Sequence, residues 1–382
     1  MVNQNTQKAE KYIIDEISTK RLIIKFLSIL ILFAIISPFI KSYGKISLYN
    51  LAFPGRLRFP FGENSSLSYN LTLNNLDAMF ASHIISGSQK EDDEFRVVVI
   101  GDSSIWGILL QPDQTLPAMI NSELHECNGK KVKVFNIGYP TLSLTKDLMI
   151  MAYGMRYKPD LIIWPLTLES FPHDKQLTNP LIENNMELLR FENEKYNLNL
   201  DLGDKLSTLE QYYQNTIIFK RKEMADVIRL QFLGMMWSAT GIDQYYPADY
   251  QKAQTDLENS LEFHGYSTQD DLDNDLNFNL LGSMMKIAGN IPIVFINEPI
   301  LISDGLNHEI RYNFYYPIWA YDHYRTQLST YMTNNKLAYI DLWDVVPNDE
   351  YTNSAIHLTS EGEVIFSNKV VEYLNKTVCY GN

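Results

Sequence analysis

Three short stretches of the chain carry residue types that can do acyl chemistry. The first is Gly101-Asp102-Ser103-Ser104, which closes an apolar run. A serine on a strand-to-helix turn exposes its hydroxyl, and backbone N–H groups beside it can meet a developing oxyanion. The simpler reading is a plain turn in which Asp102 and its neighbours cap the next helix. The stretch is not the G-x-S-x-G elbow of ordinary α/β-hydrolases. The second stretch, Asn136-Ile137-Gly138-Tyr139-Pro140, places a glycine where backbone can approach a ligand and offer its N–H. Alone, it reads better as a strand terminator. The third, Ser354–Gly362, contains His357, which can take the Ser103 proton as general base and return it to a leaving group. Its simpler reading is a loop histidine. Asn297-Glu298 adds a further carboxylate, placed to orient a base or bind substrate as readily as to sit in a loop.

These residues need a scaffold that brings distant stretches to one edge. The run 96–102 is continuous and β-branched, which predicts a buried strand. Further strands are predicted at 132–138, 160–166, 291–297 and 338–343, with helices at 114–126, 142–157, 276–288, 317–334 and 360–375. Ser143 or Thr145 is the expected cap of the second helix and Thr359 or Ser360 that of the last. Five apolar strands alternating with helices predict an α/β protein with a parallel sheet covered on both faces. Ligands in such sheets bind beyond the carboxyl ends of the strands, where all three stretches fall.

Taken together and in this order, the three stretches resemble those of the SGNH (GDSL-type) hydrolases. Val98–Ser104 is similar to the family's opening block, Asn136–Gly138 to its glycine block, and Ile356–Gly362 to its closing histidine block. The resemblance covers about 95–166 and 280–378. It implies a three-layer, flavodoxin-like, five-stranded sheet. It also implies Ser103 as nucleophile, His357 as base, and the amides of Ser103 and Gly138 as oxyanion donors. Asp102, Thr167, Glu169, Asn297 and Glu298 are then the candidate binding residues.

The chain departs from the family pattern twice. Leu168 stands where an oxyanion-donating Asn is usual, with Thr167 or Ser170 as substitutes. Ser354, preceded by Asn353, stands where an Asp usually orients the histidine. Asp344, Asp349, Glu350 or a backbone carbonyl is then left to hold the imidazole. Losing one oxyanion donor typically costs about 10²–10³ in rate. A catalytically decayed domain, serving as a tethered glycan-binding or scaffolding module, is the alternative these departures raise.

The remaining features concern the setting. The chain has 382 residues and a net charge of −14, with no basic block, so nucleic acid is not an expected partner. Two cysteines, Cys127 and Cys379, exclude a disulfide framework, and their separation does not predict a bridge. The histidines show no metal-ligand spacing, and no cofactor is expected.

Residues 1–45 carry seven Lys or Arg against three acids, a net +4, which leaves −18 for the rest. They hold the apolar run Leu22–Ile40, about 28 Å long as a helix. This is read as a transmembrane anchor after a 1–21 tail, rather than a cleaved signal peptide. The favoured orientation puts the folded domain outside the cytoplasm. Residues 46–94 are read as a membrane-proximal segment packed on the domain at 95–378.

Residues 170–275 break the alternation and are read as an insertion over the carboxyl edge. Its apolar cluster Leu230–Trp237 is assigned to ordinary core in preference to substrate or membrane contact. The dense aromatics of His308–Arg325 are likewise assigned to a helix core with an ion-pair edge, not to a sugar-binding surface. One N-terminal span before an SGNH domain is similar to the anchored partners of membrane-bound O-acyltransferases. The expected function is therefore esterase or O-acyltransferase action on an acylated extracytoplasmic glycan or polymer.

Overall fold

In the computed structural model, residues 19–37, 55–61, 74–203, 207–240 and 249–379 are described. The sheet forms where the sequence is continuously apolar. β1 (Glu94–Val99) is buried along its whole length, as are β4 (Leu161–Leu166) and β5 (Ile293–Asn297). A strand buried on both faces needs no polar alternation, which is why these segments read as unbroken runs. β2 (Glu126–Cys127), β3 (Lys130–Asn136) and β6 (Ala338–Asp341) complete a six-stranded sheet in the order β2-β3-β1-β4-β5-β6. The five longer strands are parallel. β2 is the strand the sequence did not announce. It pairs antiparallel with β3 across the Asn128-Gly129 turn, whose two residues both have positive φ. That geometry suits a two-residue hairpin.

Successive strand residues supply opposite cores. Val98, Ile100, Ile162, Trp164 and Phe295 face one layer, while Val97, Val99, Ile163, Val294 and Ile296 face the other. The first layer holds the helices Leu144–Gly154, Asn279–Ala288 and Ile318–Asn334, and the second holds Leu116–Glu123 and Ser360–Leu374. The expected caps are present: Ser143 Oγ accepts from the Lys146 amide at 3.2 Å, and Thr359 Oγ1 from that of Gly362 at 3.1 Å. The aromatics of the 308–325 stretch are core, with Tyr316, Tyr321 and Tyr324 fully buried. Arg325 forms the ion-pair edge, 2.8 Å from Asp341 and over the Trp343 ring.

A disulfide joins Cys127 of β2 to Cys379, just past the last helix. Linear spacing gave no hint of it, because the hairpin and the last helix bring the two cysteines together only in the folded chain. Residues 55–61 pack on the domain through buried Arg58 and Phe59.

The insertion returns along the carboxyl edge. The Ala253 amide donates to the Thr352 carbonyl at 2.7 Å, and Trp319 Nε1 donates to the Leu261 carbonyl at 2.6 Å. In its helix Arg221–Thr240 the described apolar side chains of the 230–237 cluster are not core, Phe232 being 75% exposed and Met235 and Met236 exposed as well, while the side chains of Leu230, Leu233 and Trp237 lie outside what is described.

Of the described residues, 19–37 and 207–225 form a unit of their own. Its helix α1 (Thr19–Ile36) begins earlier than the expected span. Lys20, Arg21 and Lys25 fall within its first turns, leaving eleven residues from Phe26 to Ile36, about 16 Å of helix. Pro38 disfavours helical backbone at the residue before it. Among the described residues no helix is long and apolar enough to cross a membrane. The end of the expected span, 38–40, lies outside the described residues.

Candidate active site

β1 runs out at Val99, and the chain turns through Gly101 into a four-residue helix, Ser103–Trp106. Asp102 caps it, its Oδ1 accepting from the Ser104 amide at 2.8 Å. The capping reading is therefore correct, and it sits alongside the chemical one. Capping Ser104 leaves Ser103 at the first helical position, half-buried, with no partner for its own amide among the described residues. Two glycines permit the close packing. A Cβ on Gly101 would lie 2.5 Å from Ile105 Cγ1, and one on Gly138 would lie 3.0 Å from the Trp106 nitrogen.

His357 reaches this turn from the opposite end of the chain. Its Nε2 lies 2.8 Å from Ser103 Oγ. Its Nδ1 lies 2.8 Å from Asn353 Oδ1. An amide oxygen accepts, so Nδ1 carries the proton and the Nε2 lone pair faces the serine hydroxyl. Burial pushes the imidazole down to about 4, which keeps it neutral at pH 7. The loop that holds both residues is closed on itself. The Thr352 amide donates to the His357 carbonyl at 2.8 Å, the Thr359 amide to that of Glu350 at 2.8 Å, and the Leu301 amide to that of Ala355 at 2.8 Å.

Asn353 is the residue that the sequence reading passed over. It carries an amide, not a carboxylate, and stands one position before Ser354. Asp344, Asp349 and Glu350 do not take the role, and the Glu350 carboxylate instead accepts from Thr359 Oγ1.

The other candidates divide. The Gly138 amide donates to Asn136 Oδ1 at 3.0 Å, so in this state its N–H is occupied. Thr167 is fully buried, with its Oγ1 2.8 Å from Tyr316 Oη. Leu168 is buried in the core. Asn297 is turned into the sheet, donating to Asp341 Oδ1 at 2.9 Å. Glu169 forms its own cluster, with His264 Nε2 at 2.9 Å and Lys175 Nζ at 3.1 Å. The hydrogen bond to Glu169 raises the His264 pKa above its ordinary value. Glu298 lies behind the Ser103 turn, accepting from Ser104 Oγ at 2.6 Å. Buried Lys146, also missed from sequence, donates to the carbonyls of Gly101 at 2.7 Å and Tyr139 at 3.0 Å. It thereby ties the ends of β1 and β3 together. Ser103, His357, Asn353 and, through Ser104, Asp102 and Glu298 are thus one assembly; Thr167, Glu169 and Asn297 belong to neighbouring ones.

No family model matches the chain, and neither does any curated protein sequence. Solved structures similar to it include a member of the lipolytic protein G-D-S-L family from Veillonella parvula (9% identity, TM-score 0.34, 72% of this chain and 96% of that one). An aryl esterase of M. smegmatis in inhibitor-bound form is another (12%, TM-score 0.35, 74% and 99%). A carbohydrate acetylesterase from Sinorhizobium meliloti is a third (11%, TM-score 0.34, 73% and 97%). Superposition at that level is loose, and the chemistry of the site rests on its own geometry.

Proposed function

We propose that the protein is a serine esterase or O-acyltransferase of SGNH type, acting through an acyl-enzyme on Ser103. The observation that carries this reading is the hydrogen-bonded series Ser103 Oγ–His357 Nε2, His357 Nδ1–Asn353 Oδ1, both at 2.8 Å. Ser103 Oγ attacks an ester carbonyl as its proton passes to Nε2. The Ser103 amide, free at the start of its helix, donates to the oxyanion. The Gly138 amide becomes a second donor when the Asn136 side chain yields to substrate. The imidazolium then protonates the departing alkoxide. Water or a sugar hydroxyl, deprotonated by His357, resolves the acyl-enzyme and gives hydrolysis or transfer respectively.

An acylated glycan or polymer outside the cytoplasm is the proposed substrate, with a membrane-bound O-acyltransferase as the proposed neighbour. The Cys127–Cys379 disulfide supports an oxidising compartment, since such bonds are rare in the cytosol. The exposed apolar helix Thr19–Ile36, with cations at its start, supports membrane attachment of the N-terminus.

The test is labelling of the full-length protein, in detergent, with a fluorophosphonate. This probe reports an activated serine without knowledge of the substrate. Labelling that is lost in Ser103→Ala and in His357→Ala is the expected result. A folded protein that does not label overturns the reading. It would favour the non-catalytic glycan-binding module, for which Leu168 and the occupied Gly138 amide already speak.

A further inference from the structure

The turn that carries Ser103 is fastened from behind by groups that the reaction itself does not use. Ser104, one residue after the nucleophile, is buried. Its amide is held by Asp102 Oδ1 at 2.8 Å and its hydroxyl by Glu298 Oε2 at 2.6 Å. Asp102 and Glu298 are themselves almost completely buried. Glu298 in turn is fixed at the end of β5, its amide donating to the Leu166 carbonyl at 3.1 Å. A side-chain bridge therefore runs from β5, two strands away, to the residue adjoining the nucleophile.

We propose that Glu298 is a positioning residue for the nucleophile: through Ser104 Oγ its carboxyl group fastens the Ser103–Trp106 turn to β5 and so sets the distance from Ser103 Oγ to His357 Nε2. This rests on the reading of Ser103 as nucleophile.

Two features support the assignment. A buried carboxyl is costly and persists where a specific partner needs it. Glu298 has one such partner, Ser104, while its second oxygen, Oε1, is buried with no hydrogen bond among the described residues. One short bond to one buried hydroxyl is what a fastening needs. Burial, and then the adjacent Asp102 charge, hold the Glu298 carboxyl well above the usual carboxylate range. An amide of the same shape can then replace it. Reach to the base is sensitive to such support, since a displacement of about 1 Å can cost about 10²-fold in rate.

The test is the rate constant of fluorophosphonate labelling of the full-length protein, with melting temperature measured on each variant. Glu298→Gln is expected within about threefold of the unsubstituted protein, because its carbonyl oxygen accepts from Ser104 as the acid does. Glu298→Ala and Ser104→Ala are each expected to label about tenfold or more slowly while still melting cooperatively. The double variant is expected to be no slower than either single one, because both remove the same bond. Ser104→Ala deletes one atom and keeps the test alive if Glu298→Ala does not fold. The proposal is overturned if Ser104→Ala labels at the unsubstituted rate, if the two losses multiply, or if Glu298→Gln is as slow as Glu298→Ala. Failure of the unsubstituted protein to label is a different result: it removes the nucleophile reading and this proposal with it.

Discussion

Asn353→Asp is the substitution that tests the catalytic series most directly, because it is expected to make the protein faster. In the present arrangement Asn353 Oδ1 accepts from His357 Nδ1 at 2.8 Å. An amide orients the imidazole but brings two handicaps. It carries no charge to offset the imidazolium that forms when Ser103 gives up its proton. It also has a donor end: rotation about its last torsion presents NH₂ to Nδ1, which moves the ring proton to Nε2 and leaves no lone pair for Ser103. A carboxylate only accepts, so it removes the second handicap and answers the first.

The magnitude follows from Coulomb's law. Asn353 is exposed, so the effective dielectric is near that of water. Opposite unit charges at that spacing then gain about 1.5 kcal/mol, or about tenfold in rate. The same energy raises the imidazole by about one pKa unit. The unsubstituted protein should lose labelling as pH falls through about 4, where His357 protonates. Asn353→Asp should lose it about one unit higher and label about tenfold faster on the neutral plateau. Asn353→Ala, with nothing to select the tautomer, should fall about tenfold or more. The assay is the fluorophosphonate rate constant from pH 3.5 to 8. If Asn353→Asp leaves both plateau and midpoint unchanged in a folded protein, the claim that this side chain governs the base is refuted.

Other outcomes follow from the same geometry. Cys379→Ser should lower unfolding free energy by about 2–5 kcal/mol, since a disulfide closing so long a loop restricts the unfolded chain strongly; denaturant titration checks it, and reduction of the unsubstituted protein should match. The His264–Glu169 pair raises the histidine pKa, so its stabilisation is full below the ordinary histidine value of 6.5 and is lost as pH rises through the raised one. Melting temperature should therefore fall as pH rises above 6.5, and this part of the fall should vanish in His264→Gln. Arg58→Ala should slow labelling, because the Arg58 guanidinium donates to the Trp106 and Gly107 carbonyls at 3.0 and 2.6 Å, at the far end of the nucleophile's turn.

The sheet was legible because doubly buried parallel strands are written as unbroken apolar runs. The caps were legible because Ser143 and Thr359 each act on an amide three residues away. Ser103 and His357 were legible for the same local reason, each lying in a short stretch whose residue types constrain one another. What escaped is long-range or depends on a side chain's second function. Cys127 and Cys379 are brought together only by a two-residue strand and a terminal helix. Asn353 was discounted because an acid was sought, although an amide oxygen holds an Nδ1 proton with the same geometry. Gly138 is required for close packing against Trp106, so its presence alone says little about whether its amide is available. Phe232, Met235 and Met236 of the 230–237 run are exposed, and sequence could not say so because an apolar stripe at helical spacing looks the same whether or not a partner covers it.

The groups behind the nucleophile also set a condition on the chemistry in front of it. Asp102, Asp147, Glu298 and Glu363 are all buried, with Lys146 the buried cation among them. Were every acid ionised, that cluster would carry a net charge of −3 close to the point where an oxyanion must form. Such a field would oppose attack by Ser103, because buried charges are weakly screened. Burial instead raises the pKa of all four acids. Lys146 lowers those of Asp102 and Asp147, so any charge that survives is held beside the ammonium, and the Asp147 carboxylate is its partner at 2.5 Å. For Glu298 and Glu363 burial is the leading cause and no cation offsets it, so their carboxyls are pushed well above the usual range. Each such rise works against a fixed negative field beside Ser103. Glu298→Gln adds no charge to this cluster. A lysine at 298 would place a cation under the oxyanion yet break the bond to Ser104, so it should not rescue what Glu298→Ala loses.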